Sequence, residues 1–346
     1  MELQSQVIRD IHDHLQDDES KFIFGNRLMY SITGNRSYLQ VIIDKLPEAK
    51  WLKAEIEHSE ENFIFGAGTR CRDLYYLAPD KWAGIIDNDE TKWGKEFSGG
   101  VTIVPPKELY AHPHAKVFLS VRRNLLRYQD EIVRQLTDMG IAPQRIVRVD
   151  RDVVDRWERY QYFDLLAMHP MQDEVFVDVG AFDGASTKRF AEWAGNFSHA
   201  YLFEPDPENR KRCERTLSEL PKEKLTIYPY GLWKEKTELC FSEFGTSGGS
   251  VRDNGENHIP VVTLDETLAG KRVTYIKMDV EGAELEVLMG AQRIIQEQHP
   301  KLAISLYHKT DDIYTLPKYV LELFKDYRLY IRQYSLNTSE IVLYAI

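Results

Sequence analysis

Apolar runs alternate with amphipathic segments along most of the chain, a pattern typical of parallel strands joined by helices. The near-continuous apolar run at 175–179 indicates a strand buried on both faces of a parallel sheet. In the carboxyl-terminal half, the pattern predicts strands over 175–179, 200–203, 225–228, 273–279 and 301–307, and helices over 186–194, 207–219, 282–297 and 315–325. The last two segments, 327–334 and 340–346, alternate around a turn-prone stretch and predict an antiparallel hairpin.

The first half of the chain predicts a second, smaller sheet. Its apolar runs predict strands at 63–65, 83–86, 101–104, 117–121 and 145–149, whereas apolar positions before residue 60 follow helical spacing. We therefore predict an α/β fold with two doubly wound domains. The expected limits are a helical segment at 1–60, a small Rossmann-like domain at 61–150, a connecting helix at 151–172 and a second α/β domain at 173–346.

Composition narrows the class of partner. The chain has 346 residues, 43% of them hydrophobic, and a formal net charge of −11, which argues against broad binding of nucleic acid or of an anionic membrane. The amino terminus lacks the apolar core of a signal peptide, and no apolar run approaches the ~20 residues of a membrane span. Three scattered cysteines indicate reduced thiols and a cytoplasmic protein: Cys71, Cys213 and Cys240.

A glycine loop follows the first strand of the carboxyl-terminal half. Gly180 and Gly184 flank it, and Ser186 is the expected N-cap of the next helix. A dinucleotide-binding fingerprint would contain a further glycine, and its loop would bind a pyrophosphate. This loop instead contains Asp183 and follows Asp178. Carboxylates repel a pyrophosphate but suit the sulfonium and ammonium groups of S-adenosylmethionine. The loop therefore favours S-adenosylmethionine over NAD.

An acidic residue ends the next predicted strand. Glu204 lies about 20 residues beyond the glycine loop, where a Rossmann-type sheet places a carboxylate for a ribose diol. Pro205 stops the strand directly afterwards, so that the carboxylate is expected to face the ligand edge of the sheet.

A third acidic motif follows the apolar run at 275–278. Asp279 and Glu281 are expected at the same sheet edge, and Glu284 opens the next helix, where an acidic residue also suits the helix dipole. The first two carboxylates could hold the amino-acid portion of the cofactor, orient a hydroxyl substrate or bind a divalent ion. No metal ligand set is assigned from the sequence.

Five short motifs stand in order in this half of the chain: FVDVGAFDG, FEPDP, TLDE, IKMDVEGAELEVLMGA and SLYHKTDD. From about residue 174 to 346, the sequence resembles FkbM-type methyltransferases. The resemblance implies a class I methyltransferase fold ending in an antiparallel hairpin, S-adenosylmethionine as methyl donor, and usually O-methylation of a sugar, glycan or other small-molecule hydroxyl. The cofactor site that it implies comprises Asp178, Gly180, Phe182, Asp183, Gly184, Glu204, Pro205, Gly231 and Asp279.

Methylation of a neutral hydroxyl also needs a group that removes its proton. The candidate catalytic residues are His308, Asp279 and Glu281, and His308 is chosen because it follows a predicted strand at the same edge and its ordinary pKa is close to neutral. The polar loop at 245–250 is either a lid over the acceptor or a linker.

The first half carries a weaker glycine motif. Gly66 and Gly68 follow a strand and Asp87 lies about 20 residues on, but Cys71 stands where a dinucleotide fingerprint has glycine. This region resembles small amino-terminal domains that precede sugar-modifying transferase domains. It either binds a nucleotide, with Arg70 as phosphate partner, or has a structural or dimerising role. Two alternative functions therefore stay open, an NAD- or nucleotide-sugar-binding enzyme and an inactive binding module, as does association into a homo-oligomer.

Overall fold

The computed structural model describes residues 2–121, 126–149, 153, 160–241 and 257–346. Two compact units result: Met1–Tyr38 with Tyr160–Gln333 and Ser339–Ile346, and Leu39–Arg159 with Tyr334–Thr338. The loop at 245–250, interpreted as either a lid or a linker, lies outside the described residues, as do residues 151–152 and 154–159 of the connecting helix predicted at 151–172. No helix in these described ranges is both long and apolar enough to cross a bilayer.

The chain begins with helices, as its apolar spacing predicted. They are α1 (Glu2–His14), α2 (Asp18–Thr33), α3 (Ser37–Ile43) and α4 (Pro47–Glu57). Asp17 accepts the Ser20 backbone N–H at 2.8 Å and so caps α2. The same carboxylate binds Arg332 at 2.6 Å, which fixes α2 to the strand Leu329–Gln333.

The connection between these helices and that strand also involves the backbone. The N–H of Gln16 donates to the carbonyl of Leu329 at 3.0 Å, and the N–H of Ile331 donates to the Ser20 hydroxyl at 2.9 Å. Backbone groups on the outer edge of this strand therefore have hydrogen-bond partners that do not come from another β-strand.

The second unit contains a six-stranded sheet. Its strands are β1 (Asn62–Phe65), β2 (Trp82–Ile86), β3 (Glu96–Ser98), β4 (Val101–Val104), β5 (Lys116–Leu119) and β6 (Ile146–Arg148). Their order is β3-β4-β2-β1-β5-β6, parallel except for the β3–β4 pair. The α-helices are α5 (Thr69–Leu77) and α6 (Leu126–Asp138), and short 3-10 helices span Pro79–Lys81, Glu90–Lys92, Pro106–Ala111 and Pro143–Arg145. Only β3 among these strands was not predicted from the sequence.

The first unit contains a seven-stranded sheet and a small three-stranded one. Its strands are β7 (Glu174–Val179), β8 (Phe197–Phe203), β9 (Leu225–Tyr228), β10 (Gly231–Leu232), β11 (Thr237–Phe241), β12 (Asn257–Val262), β13 (Tyr275–Met278), β14 (Lys301–Ser305), β15 (Leu329–Gln333) and β16 (Ile341–Ala345). The α-helices are α7 (Ala185–Ala194), α8 (Pro207–Thr216), α9 (Leu264–Thr267), α10 (Glu284–Gly290), α11 (Gln292–Gln298) and α12 (Asp312–Leu323). A short 3-10 helix spans Lys222–Lys224.

The large sheet has the order β15-β16-β14-β13-β7-β8-β9, and β16 runs antiparallel to both of its neighbours. The other pairings are parallel, and the four central strands are buried along nearly their whole length. This order confirms the predicted doubly wound fold that ends in an antiparallel hairpin. The sheet β10-β12-β11 was not predicted.

Candidate active site

Most of the predicted site residues follow the carboxyl ends of four neighbouring strands, β8, β7, β13 and β14, whereas Asp178 lies within β7 and Gly231 lies in β10. Ligands of open α/β sheets bind at this edge, where the strand order reverses. The topology therefore brings the glycine loop, Glu204, the Asp279 motif and His308 to one side of the sheet.

Gly180 is required by two features of the loop after β7. Its φ is +76°, a conformation that side chains disfavour, and a Cβ there would lie 2.0 Å from the carbonyl oxygen of Asp279. The loop thus passes directly against the end of β13.

Asp178 lies beneath this loop and is fully buried. One carboxylate oxygen accepts hydrogen bonds from the hydroxyls of Ser186 (2.6 Å) and Thr187 (2.7 Å), and the other lies 3.1 Å from the Lys277 ammonium. Lys277 also donates to the carbonyl of Gly180 at 2.8 Å. Asp178 thus supports the loop through protein partners, and its predicted contact with the cofactor stays a prediction.

The predicted N-cap at Ser186 is wrong. Helix α7 begins at Ala185 with Gly184 as its N-cap at φ +80°, and Ser186 is buried with its hydroxyl turned to Asp178. The carboxylate of Asp183 accepts the N–H of Ala185 at 3.0 Å, so this acid satisfies a free amide at the helix start.

Glu204 is joined to the glycine loop. Its carboxylate accepts the backbone N–H of Phe182 at 2.8 Å and that of Asp206 at 3.0 Å, and the side chain is nearly buried. Burial raises the pKa of Glu204 to about 7, although these hydrogen bonds work in the opposite direction. Its carboxylate therefore lies at the end of β8, against the loop, and its predicted contact with the cofactor ribose stays a prediction.

Two further predicted cofactor residues, Phe182 and Gly231, lie close to Glu204 and Pro205, respectively. Phe182 adopts φ +50°, and the Arg212 guanidinium lies 5.6 Å from its ring centre. Gly231 lies beside Pro205, where an added Cβ would be 3.9 Å from the proline ring and 3.1 Å from Val261.

Asp279 is held by two phenols. The Tyr162 hydroxyl donates to one carboxylate oxygen at 3.2 Å, and the Tyr307 hydroxyl donates to the other at 3.1 Å. Burial raises the pKa of both phenols, so they stay neutral donors at physiological pH. Asp279 remains partly exposed between them.

His308 lies among three carboxylates. Its Nδ1 is 2.8 Å from Glu284, and its Nε2 is 3.5 Å from Asp279 and 3.6 Å from Glu281. Burial lowers the pKa of His308, but the carboxylates outweigh it and raise the pKa to about 9. An imidazole protonated at neutral pH donates a proton, so the partly exposed carboxylates of Asp279 and Glu281 are the better proton acceptors among the predicted bases.

Sequence reasoning missed four contributors to this site: Tyr162, Lys277, Glu284 and Tyr307. Lys277 had a readable signal, because a lysine inside an apolar buried strand needs a charged partner. Glu284 was interpreted only as a helix-start acid. Tyr162 reaches Asp279 from 117 positions away, and nothing in the local pattern indicates that contact.

The glycine motif of the second unit has its own acid. Asp87 accepts the Ala67 N–H at 2.7 Å and binds the Lys92 ammonium at 2.9 Å, and Gly66 has φ +106°. Nucleotide binding here stays a prediction.

The strand order and the loop after β7 define a class I methyltransferase fold. Residues 178–335 match the model of the methyltransferase FkbM domain, which confirms the predicted resemblance of the carboxyl-terminal half. An FkbM methyltransferase from Methylobacillus flagellatus KT has the same fold, with a TM-score of 0.52, 18% identity, and coverage of 95% of this chain and 99% of that one.

Two other solved structures are more distant. Fibrillarin from Aeropyrum pernix, solved with bound S-adenosyl-L-methionine, has a TM-score of 0.35 and 11% identity, covering 55% of this chain and 76% of its own. An rRNA methylase from Streptococcus thermophilus has a TM-score of 0.35 and 16% identity, covering 55% and 91%. No curated protein matches the sequence.

Proposed function

We propose that the protein is an S-adenosylmethionine-dependent methyltransferase that methylates a hydroxyl of a small molecule, with a sugar or glycan as the expected acceptor. The observation that carries this proposal is the contact between the glycine loop and Glu204, made at 2.8 Å beside an acidic strand end. The FkbM domain match and the class I fold support methyl transfer as the reaction.

The charge of the site suits this donor. The ribose hydroxyls would donate to the Glu204 carboxylate, which already accepts backbone N–H groups at the same edge. The cofactor's sulfonium and ammonium groups are cations, and Asp279 and Glu281 are acids at the end of the neighbouring strand β13. A dinucleotide would instead bring two phosphates toward these carboxylates.

Methyl transfer needs alignment and a proton acceptor. S-adenosylmethionine, when bound, would supply an electrophilic methyl group, whose carbon–sulfur bond would break as the acceptor oxygen bonds to the methyl carbon, leaving a neutral thioether. The hydroxyl proton passes to the carboxylate of Asp279 or Glu281. Burial raises the pKa of Glu281, against the effect of nearby His308, and this makes Glu281 a stronger base than a free carboxylate.

Binding and turnover are tested separately. Calorimetric titration should show one binding site for S-adenosylhomocysteine, and the Glu204→Gln variant should bind it more weakly. Titration with NAD should give no heat of binding at the methyltransferase site. Incubation with donor carrying a labelled methyl group should transfer label to a sugar-containing fraction of a metabolite extract.

The alternatives give different results. NAD binding without S-adenosylhomocysteine binding would contradict the proposal and favour an enzyme based on the glycine motif of the second unit. Cofactor binding without label transfer to any acceptor fraction would favour the inactive binding module. A cytoplasmic location and a homo-oligomeric state stay predictions.

A further inference from the structure

A cluster of four ionisable side chains, which we call the histidine cluster, lies beside the glycine loop: Asp279, Glu281, Glu284 and His308. One ring nitrogen of His308 and one oxygen each of Asp279 and Glu284 lie within 4.8 Å of one another. Three carboxylates therefore converge on a single imidazole in a largely buried setting. Such a concentration of negative charge requires a cation or a set of protons nearby.

Two atoms of the histidine cluster lack a hydrogen-bond partner among the described residues. They are Nε2 of His308 and Oε2 of Glu284, and both are shielded from solvent. The side chains are 8% and 1% exposed, so both are more than nine-tenths buried. Buried polar atoms are almost always paired, so a ring nitrogen without a hydrogen-bond partner that faces two carboxylates is suited to binding a ligand.

The orientation of His308 is fixed from one side. Its Nδ1 lies 2.8 Å from Oε1 of Glu284, which in turn accepts the backbone N–H of Val280 at 3.0 Å. A carboxylate that holds one nitrogen of a histidine and leaves the other as a ligand is the usual arrangement behind metal-binding histidines.

The distances from Nε2 fit a shared ion better than hydrogen bonds. Oδ1 of Asp279 is 3.5 Å away and Oε2 of Glu281 is 3.6 Å away, both beyond a normal hydrogen bond. Two ligand atoms that each lie about 2.1 Å from one metal ion at a tetrahedral angle are about 3.4 Å apart. Small movements of the two partly exposed acids would therefore complete a coordination site.

We propose that the histidine cluster binds one divalent cation through Nε2 of His308 and the carboxylates of Asp279 and Glu281, with Glu284 as the group that orients the imidazole. A mixed set of one imidazole and two carboxylates suits Mn²⁺ or Zn²⁺ better than the oxygen-preferring Mg²⁺ or Ca²⁺. The protein supplies three ligands, and the remaining positions are left for water or a hydroxyl oxygen of the acceptor.

Cation binding itself does not depend on the reaction. The consequence for catalysis rests on the proposed function: a hydroxyl bound to the ion would be aligned beside the methyl donor and would lose its proton more readily.

The test is titration of the full chain with Mn²⁺ after removal of metals by chelation. Free aqueous Mn²⁺ gives an electron paramagnetic resonance signal that falls as the ion binds. We expect one ion per chain, and a dissociation constant raised about tenfold or more in Glu281→Gln and in His308→Gln. Zn²⁺ added afterwards should displace the bound Mn²⁺.

The control variant is Glu322→Gln, which removes one negative charge from an exposed, salt-bridged position on α12. It should bind Mn²⁺ as the parent chain does, so that a general charge effect is separated from coordination. Thermal unfolding of each variant without metal verifies folding, and Glu281→Gln is the safer substitution because that side chain is partly exposed.

Absence of stoichiometric binding, or equal affinity in all variants, would overturn the cation site. Titration of the metal-free chain with S-adenosylhomocysteine separates this failure from failure of the proposed function. Cofactor binding without cation binding removes only the metal site, whereas cation binding without cofactor binding removes only the methyltransferase assignment.

Discussion

The ammonium of Lys277 on β13 lies 3.1 Å from the carboxylate of Asp178 on β7, and both side chains are buried. The two residues are directly paired in the register of the adjacent strands. Because Lys277 also binds the Gly180 carbonyl, this ion pair joins the centre of the sheet to the glycine loop above it.

Removing one member of this pair should strongly destabilise the fold. Lys277→Met leaves the Asp178 carboxylate buried without its cation, and such losses cost about 3–5 kcal/mol. Urea unfolding of both proteins measures the difference. The double variant Lys277→Met with Asp178→Asn should recover much of the loss, because no buried charge is left unpaired. A single variant within about 1 kcal/mol of the parent would contradict the proposed support of the loop.

Gly180→Ala should also destabilise the protein. A second glycine with a similar φ but no close neighbours separates the cost of backbone strain from the cost of steric overlap. Gly34 is in the left-handed α conformation, with φ +66° and ψ +4°, and has no neighbour within 4 Å of an added Cβ, so Gly34→Ala should cost only the backbone strain, about 1–2 kcal/mol. Gly180→Ala adds the 2.0 Å overlap with the Asp279 carbonyl and should cost more. Equal midpoints of denaturation for the two variants would show that the loop does not pack against β13.

Affinity for S-adenosylhomocysteine should depend on pH through Glu204. Burial raises the pKa of this carboxyl to about 7, so the ionised form that accepts ribose hydroxyls is dominant at pH 8 and is lost as the pH falls to 6. The apparent dissociation constant should rise by about tenfold over this range if only the ionised form binds. Calorimetry at both pH values measures it.

Glu204→Gln is the control for that pH profile. It keeps the shape of the side chain without its titration, so its weaker binding should change little between pH 6 and 8. A flat profile in the parent chain would remove Glu204 from the cofactor site.

His308→Gln should affect turnover far more than cofactor affinity. Nε2 of His308 lies 3.5 Å from Asp279 and 3.6 Å from Glu281, the two proposed proton acceptors, so its loss should disturb proton transfer more than cofactor binding. We expect methyl transfer to fall by about 10²-fold with little change in S-adenosylhomocysteine binding. His169→Gln, at an exposed position in the same unit, serves as the control and should behave as the parent. Unchanged turnover in His308→Gln would exclude a catalytic contribution.

The strands of the large sheet were predictable because their burial is continuous. The runs at 175–179 and 225–228 agree with β7 and β9 to within one residue. The helix predicted at 282–297 is instead two helices, α10 and α11, separated at Ala291, which the unbroken apolar face did not indicate. Strand β10 was missed because it has only two residues, and β12 was missed because its six residues include Pro260 and are only partly buried.

The edge of the sheet that carries the site was predictable for a different reason. Parallel topology gathers strand ends, so Glu204, Asp279 and His308 could be expected together from their positions after apolar runs. Their partners could not, because contacts such as Tyr162 with Asp279 depend on how distant segments return to the sheet. The elevated pKa of His308 follows from three acids that only the fold brings together.

The placement of β16 between β14 and β15 determines which fragments of this chain can be studied alone. A fragment cut at the limits of the FkbM match, 178–335, would lack β16 and leave β14 and β15 without their shared partner. It would also lose Gln16 and Ser20, which occupy the outer side of β15. Exposed strand edges recruit other chains, so such a fragment should aggregate. A stable fragment that contains the FkbM match must also include β16 and the segment with Gln16 and Ser20.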